Sequence, residues 1–220
     1  MRMASRVVVF DLDGTLTRHD TYVPFLTGFL LRRPLRLLRT VALPRALLLF
    51  MVGRLTNTQL KERFLNAFLA GASKQDIEAW THAFITRLLS RGLCREAQDT
   101  LEYHRAQGDL LILLTASLDL YVEELGRRLR FDRVCCTKAE WSADRLTGKL
   151  SGPNHRGEEK VRCLLRLRQD YPGATVVAYA DHSSDLDFLR MADQATLVNG
   201  TRKAQRLAKQ QGISSAKWKS

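Results

Sequence analysis

Asp11-Leu12-Asp13-Gly14-Thr15 sets two carboxylates one residue apart, directly after the apolar run Val7-Val8-Val9-Phe10. Three of those four apolar residues are β-branched, and the run reads as a strand buried on both faces, as inside a parallel sheet. Two carboxylates about 4 Å apart repel by about 4 kcal/mol at an effective dielectric of about 20. Such a pair either shares a proton or holds a cation. Hard divalent ions such as Mg²⁺ prefer oxygen ligands of this kind. Gly14 can take backbone shapes closed to other residues, and Thr15 adds a hydroxyl. For Asp-x-Asp alone, an ordinary acidic turn is the plain alternative; its partners elsewhere in the chain argue against it.

Two further hydrophobic runs end in reactive residues. Asp109 to Leu114 leads into Thr115-Ala116-Ser117, and the helical pattern that follows, Leu118 to Leu129, would offer free N–H groups of its first turn to an anion. A simple Ser/Thr cap is the competing reading there. Ala174 to Ala180 leads into Asp181-His182-Ser183-Ser184-Asp185, and Gly157-Glu158-Glu159-Lys160 opens a helix that runs to about Gln169. In a parallel sheet the strand ends at Asp11, Thr115 and Asp181 share one edge, where α/β folds bind ligands.

Strands alternating with helices imply a parallel sheet with helices on both faces. Short strands are expected at Val134–Cys136 and Ala195–Val198, with a hairpin over Thr137–Leu150. Asp11 and Thr115 lie 104 positions apart, far more than a βα connection takes. Residues 18–90 therefore read as an inserted helical module, a lid over the crevice, with the core formed by 1–17 and 91–220. Within the module, Tyr22–Leu31 is apolar and aromatic. Leu35–Val52 is the most hydrophobic segment, yet it carries Arg36, Arg39, Arg45 and Pro44, which argues against a spanning helix. Two readings of it stand: a basic helix lying on a membrane surface, and a helix pair packed within the protein with its arginines reaching outward. Leu60, Phe64, Ala67 and Phe68 share a face of the next helix. Ser73 reads as the N-cap of the one after, with Asp76 in the capping-box position. That last helix should bury Ile77, Trp80, Phe84 and Leu88.

The 220 residues carry a net charge of +12, with 35 basic and 23 acidic side chains. This excess fits an anionic partner as well as it fits a merely basic surface. Cys94, Cys135, Cys136 and Cys163 form no C-x-x-C pair, which reads as a reduced, cytosolic chain. The first strand begins almost at once, so no secretory leader is expected. The basic tail after Thr201 reads as a solvated face.

Taken together, these motifs resemble the haloacid dehalogenase superfamily of phosphohydrolases, subfamily IB, in the branch that includes phosphoserine phosphatase. The resemblance runs through the whole chain: Asp11 to Thr15, then Thr115, then Asn154-x-x-Gly157-x-x-Lys160, then Asp181 with Asp185. It implies an α/β fold with a Rossmann-like parallel sheet core and an inserted all-helical cap of C1 type. It implies Asp11 as nucleophile, forming an aspartyl-phosphate, and Asp13 as the acid and base. Mg²⁺ would sit on Asp11, the Asp13 main-chain carbonyl and Asp181, with Asp185 in support. Thr15, Thr115, Ala116 and Ser117 would bind phosphoryl oxygens, and Lys160 would offset their charge. Asp20 lies nine positions after Asp11, where the phosphoserine branch carries an acid that reads the substrate amine. Lys61, Arg63 and His182 are further candidate substrate contacts, with surface and helix-cap roles as the alternative. Ala180 stands where the family often has glycine. The hydrophobic, arginine-bearing cap also resembles that of bacterial phosphatidylglycerophosphate phosphatases.

The expectation is a Mg²⁺-dependent phosphomonoesterase acting on a small or lipid-linked phosphate ester. It would be cytoplasmic, with peripheral membrane contact in reach, no nucleic-acid partner and an open oligomeric state. The competing class is a basic, non-catalytic module of the same fold that binds an anionic membrane surface or nucleic acid. An intact Asp13 disfavours it.

Overall fold

The computed structural model describes residues 5–218. Six strands form one parallel sheet: β1 (Arg6–Phe10), β2 (Leu110–Leu118), β3 (Arg133–Thr137), β6 (Thr175–Ala180), β7 (Gln194–Val198) and β8 (Ser214–Ala216), in the order β3-β2-β1-β6-β7-β8. The remaining two, β4 (Ala139–Ser142) and β5 (Arg145–Leu150), make a separate antiparallel hairpin. β1 is central, with Val8 opposite Leu111 on one side and Val177 on the other. Its side chains alternate between the two faces of the sheet. Val8 and Phe10 join a cluster with Leu111, Leu113, Tyr121 and Leu125. Val7 and Val9 join another with Ile112, Leu114, Leu164 and Phe188. Burial on both faces explains why these strands are continuous apolar runs.

Between β1 and β2 the chain forms α1 (Tyr22–Leu31), a 3₁₀ segment (Pro34–Ala42), α2 (Leu43–Met51), α3 (Asn57–Leu69) and α4 (Lys74–Arg91). The remaining helices, α5 (Arg95–Ala106), α6 (Asp119–Arg128), α7 (Glu158–Asp170), α8 (Leu186–Arg190) and α9 (Arg202–Gln210), flank the sheet strands. The helical block is not separated from the sheet by a gap. Phe25, Leu65 and Ile85 belong to the same apolar cluster as Phe10 and Tyr121. Backbone bonds also tie the α3–α4 corner to the hairpin: Gly71 N–H to the Leu146 carbonyl (2.7 Å), Leu146 N–H to that of Ala72 (3.1 Å) and Lys74 N–H to that of Asp144 (2.9 Å).

Several local expectations change. Leu35–Val52 is not one helix; it is a 3₁₀ segment followed by α2, with Pro44 in the first turn of α2, where its missing N–H costs nothing. The capping box belongs to α3, where Thr56 and Gln59 exchange both bonds. At α4, Ser73 accepts from Asp76 N–H, but the Asp76 carboxylate turns to Arg33. In that helix Ile77, Thr81 and Ile85 are the buried residues, with Trp80, Phe84 and Leu88 half-buried at their edge. In α3, Leu65, Ala67, Phe68 and Leu69 are buried while Leu60 and Phe64 are half-buried. β2 runs on through Thr115-Ala116-Ser117, with its register against β3 shifting between Thr115 and Leu118. Such an irregularity re-aims side chains at a strand end. β8 was not expected. Among the described residues the cysteines form no disulfide, and no helix is long and apolar enough to cross a membrane.

Candidate active site

β1 delivers Asp11 to the carboxyl edge of the sheet, where its N–H donates to the Tyr179 carbonyl (2.9 Å). The turn after it is fixed from inside: Leu12 and Leu16 are buried, and the Leu12 carbonyl accepts from Thr17 N–H (3.0 Å) and Thr17 Oγ1 (3.1 Å). Gly14 holds φ +77°, and a β-carbon on it would overlap the Asp181 carboxylate. The Gly14 backbone is therefore packed against the neighbouring strand end, and no side chain fits between them. α7 carries Lys160 inward until its ammonium donates to both Asp11 Oδ1 (2.8 Å) and Asp185 Oδ2 (2.8 Å). Asp185 is set by a short 3₁₀ turn, Ser183–Asp185, whose N-cap is His182, with Nδ1 accepting from Ser184 N–H (3.0 Å).

Asp11, Asp181 and Asp185 bring carboxylate oxygens within 4.8 Å of one another. Burial, resisted by Lys160, pushes Asp11 up to about 7. Burial and the nearby Asp185 charge push Asp181 up to about 7 as well. For Lys160, burial works against the charge, but Asp11 and Asp185 outweigh it and raise its pKa, so it stays an ammonium. Three carboxylates face one ammonium in a buried site, which leaves an excess of negative charge. All the available donors are hard oxygens, which is the donor set that suits Mg²⁺.

Asp13 is held differently. Its Oδ1 accepts from Thr21 N–H (2.7 Å) and Thr21 Oγ1 (2.6 Å), and its Oδ2 accepts from Ser117 Oγ (2.6 Å). Burial raises its pKa, while the hydrogen bonds from Ser117 and Thr21 pull the other way. The Thr21 hydroxyl lies 2.9 Å from Tyr121 Oη, which extends this network into the core. Ser117 N–H donates to Thr115 Oγ1 (3.1 Å). From α3, Lys61 reaches across to the Ala116 carbonyl (2.6 Å) and Asn154 Oδ1 (2.7 Å). Burial pulls the Lys61 pKa down to about 8.

One cavity of about 630 Å³ is lined by Asp11, Asp13, Thr115, Ala116, Ser117, Lys160, Asp181 and Asp185, together with Asp20, Lys61 and His182. Two expected residues are not brought to it. The Thr15 hydroxyl is fully buried beneath the turn, with no hydrogen-bond partner, and Arg63 is exposed on α3. The first turn of α6 carries Asp119, whose Oδ1 accepts from Ala139 N–H (3.0 Å). Asp20 lines the cavity while its Oδ2 accepts from Val23 N–H (2.8 Å) at the start of α1. Sequence reasoning missed Thr21, Tyr121 and Arg156. The first two reach Asp13 only through the fold. Arg156, a cavity residue, sits four positions before Lys160 and could have been noted as a second cation there. Tyr22, Leu47, Leu60 and Phe64, all from the helical block, add apolar surface to the cavity lining.

Residues 8–190 match the family model of haloacid dehalogenase-like hydrolases. The chain is 34% identical over 191 residues to protein CicA of Caulobacter vibrioides, covering 86% of this chain and 83% of that protein. A structure of a protein of unknown function from Bordetella pertussis Tohama I superposes with a TM-score of 0.81 at 24% identity, covering 96% of this chain and 98% of that one. A probable phosphoserine phosphatase from Vibrio cholerae superposes with a TM-score of 0.73 at 17% identity, over 98% of this chain and 62% of that one. The structural likenesses speak to the fold, which this chain shares with the Vibrio cholerae protein. Together with the family match, they establish that this chain belongs to the haloacid dehalogenase-like hydrolases.

Proposed function

We propose that the protein is a Mg²⁺-dependent phosphomonoester hydrolase that works through an aspartyl-phosphate on Asp11. The reading is carried by one observation: Lys160 spans Asp11 and Asp185 within a carboxylate cluster, while Asp13 stands apart in its own hydrogen-bonded niche. The split separates nucleophile from acid. Asp11 attacks phosphorus, and the bond from phosphorus to the ester oxygen breaks. The leaving oxygen takes the proton that Asp13 holds, a proton that burial helps Asp13 retain. Asp13, now a carboxylate, removes a proton from water as that water attacks phosphorus and displaces Asp11. Inorganic phosphate leaves and both aspartates are restored.

Lys160 offsets charge on Asp11 and on the phosphoryl oxygens, and Thr115, Ala116 and Ser117 line the same cavity. When bound, Mg²⁺ would be held by Asp11, the Asp13 main-chain carbonyl, Asp181 and Asp185, and it would supply charge neutralisation for a dianionic phosphate. The substrate is a small or lipid-linked phosphate ester; the apolar lining residues Leu47, Leu60 and Phe64 support a hydrophobic portion on it.

The test is hydrolysis of p-nitrophenyl phosphate with Mg²⁺ by wild-type protein and Asp11→Asn. Loss of at least about a thousandfold in kcat is expected. Equal rates would overturn the catalytic reading and leave the non-catalytic anion-binding module in its place.

A further inference from the structure

Of the twelve large hydrophobic residues that are exposed among the described ones, nine fall between Leu31 and Val52. The 3₁₀ segment Pro34–Ala42 is central to this patch. It is nine residues long and buries none of them, although 3₁₀ runs beyond three or four residues are uncommon. Its three-residue period eclipses side chains at i and i+3. That period stacks Leu35, Leu38 and Val41 into a single ridge, exposed by 87%, 79% and 77%. Arg36 and Arg39 fall one step round. They turn inward, both donating to the Ala70 carbonyl (2.8 Å each) at the C-terminus of α3, where a cation is favoured. The segment is thus fastened by its arginines and directs its leucines to solvent.

The ridge continues onto α2 and the turn after it through Leu48, Met51 and Val52, all exposed, and Leu47 of the same helix lines the cavity. Arg32, Arg33, Arg45 and Arg54 are exposed around it. Residues 21–61 contain no aspartate or glutamate. The patch is apolar through Leu35, Leu38, Val41, Leu48 and Met51 and carries exposed arginines beside them. Charge decides among occupants. A second copy of this chain would set arginines against arginines. An anionic bilayer offers hydrocarbon for the apolar residues and lipid phosphates for the arginines.

We propose that the face formed by Leu31, Leu35, Leu38, Val41, Leu48 and Met51 docks the protein peripherally on anionic lipid bilayers, with the cavity opening beside the contact. This docking does not depend on the reaction proposed above. In the setting of that reaction, it would present the cleft to phosphate esters carried by the membrane.

The experiment is co-sedimentation of the full chain with vesicles of phosphatidylglycerol mixed with phosphatidylcholine, and with phosphatidylcholine alone, at low and high salt. Leu35→Asp/Leu38→Asp/Val41→Asp is run in parallel, since positions this exposed tolerate charge without loss of fold. Wild-type protein should bind the anionic vesicles at low salt, and high salt should weaken that binding. The triple variant should bind about a hundredfold less tightly, with its melting temperature and p-nitrophenyl phosphate hydrolysis unchanged. Failure of wild-type protein to bind anionic vesicles at low salt would overturn the proposal. So would equal binding by the variant, or a wild-type dimer that the variant abolishes while vesicle binding persists. Wild-type protein that binds vesicles but hydrolyses no p-nitrophenyl phosphate would sink the phosphatase reading and leave the docking intact.

Discussion

Lys61 is a cation that can lose its charge within the working pH range. Its ordinary value of 10.5 is brought down to about 8 by burial, although the Asp13 charge acts to keep it up. The charge is full well below pH 8 and lost as pH rises through it. Its ammonium lies in the cavity, bonded to the Ala116 carbonyl and to Asn154. For a phosphate ester, KM should therefore climb above about pH 8, with the break set by Lys61. In Lys61→Arg, whose side chain stays charged throughout, that break in the KM profile should vanish. A break unchanged in the arginine variant would show that another group titrates there.

At the scale of elements, α6 meets the hairpin through Asp119, whose Oδ1 accepts from Ala139 N–H (3.0 Å). Burial pushes Asp119 from 3.8 up to about 6. A raised carboxyl pKa means that the fold disfavours the charged form. This contribution is most favourable below about pH 4 and declines as pH rises through about 6. Asp119→Asn keeps the acceptor without the charge. Once the shift is discounted for partial exposure, a gain of about 1 kcal/mol, or about 2–4 °C in Tm, is expected at pH 7.5, and almost none at pH 4. Thermal unfolding at both pH values checks it.

The elements also show what could be read in advance. β1, β2 and β6 were legible because strands buried on both faces cannot hide their composition, and their ends carry Asp11, Thr115 and Asp181. Lys160 was legible only through the resemblance, as the last residue of Asn154-x-x-Gly157-x-x-Lys160. The 3₁₀ ridge was not: Leu35, Leu38 and Val41, three apart, fit an α-helix as readily, and only the absence of a covering surface separates the two. The bonds from Thr21 to Asp13 were hidden for a different reason. They depend on how the chain turns back after β1, and no local pattern encodes that. Thr15 misled because a hydroxyl next to Gly14 looks available, whereas the turn folds it under.

For the molecule as a whole, a site with three carboxylates and one ammonium should be more stable once a divalent cation occupies it. Mg²⁺ at about 100 times its Kd should add about 2.7 kcal/mol to the unfolding free energy and raise Tm by about 5–10 °C. Asp181→Asn should abolish most of that gain while leaving the metal-free Tm within a few degrees; an undiminished gain would place the cation elsewhere. The backbone bonds from the α3–α4 corner to the hairpin bear on traffic through the cleft. To swing away as one rigid door, the helical block would have to unpair Gly71, Lys74 and Leu146 and strip Phe25 and Leu65 from the sheet's own cluster. One jamb is therefore nailed shut, and any opening of the cleft has to come from flexing within the helical block rather than from its departure as a unit.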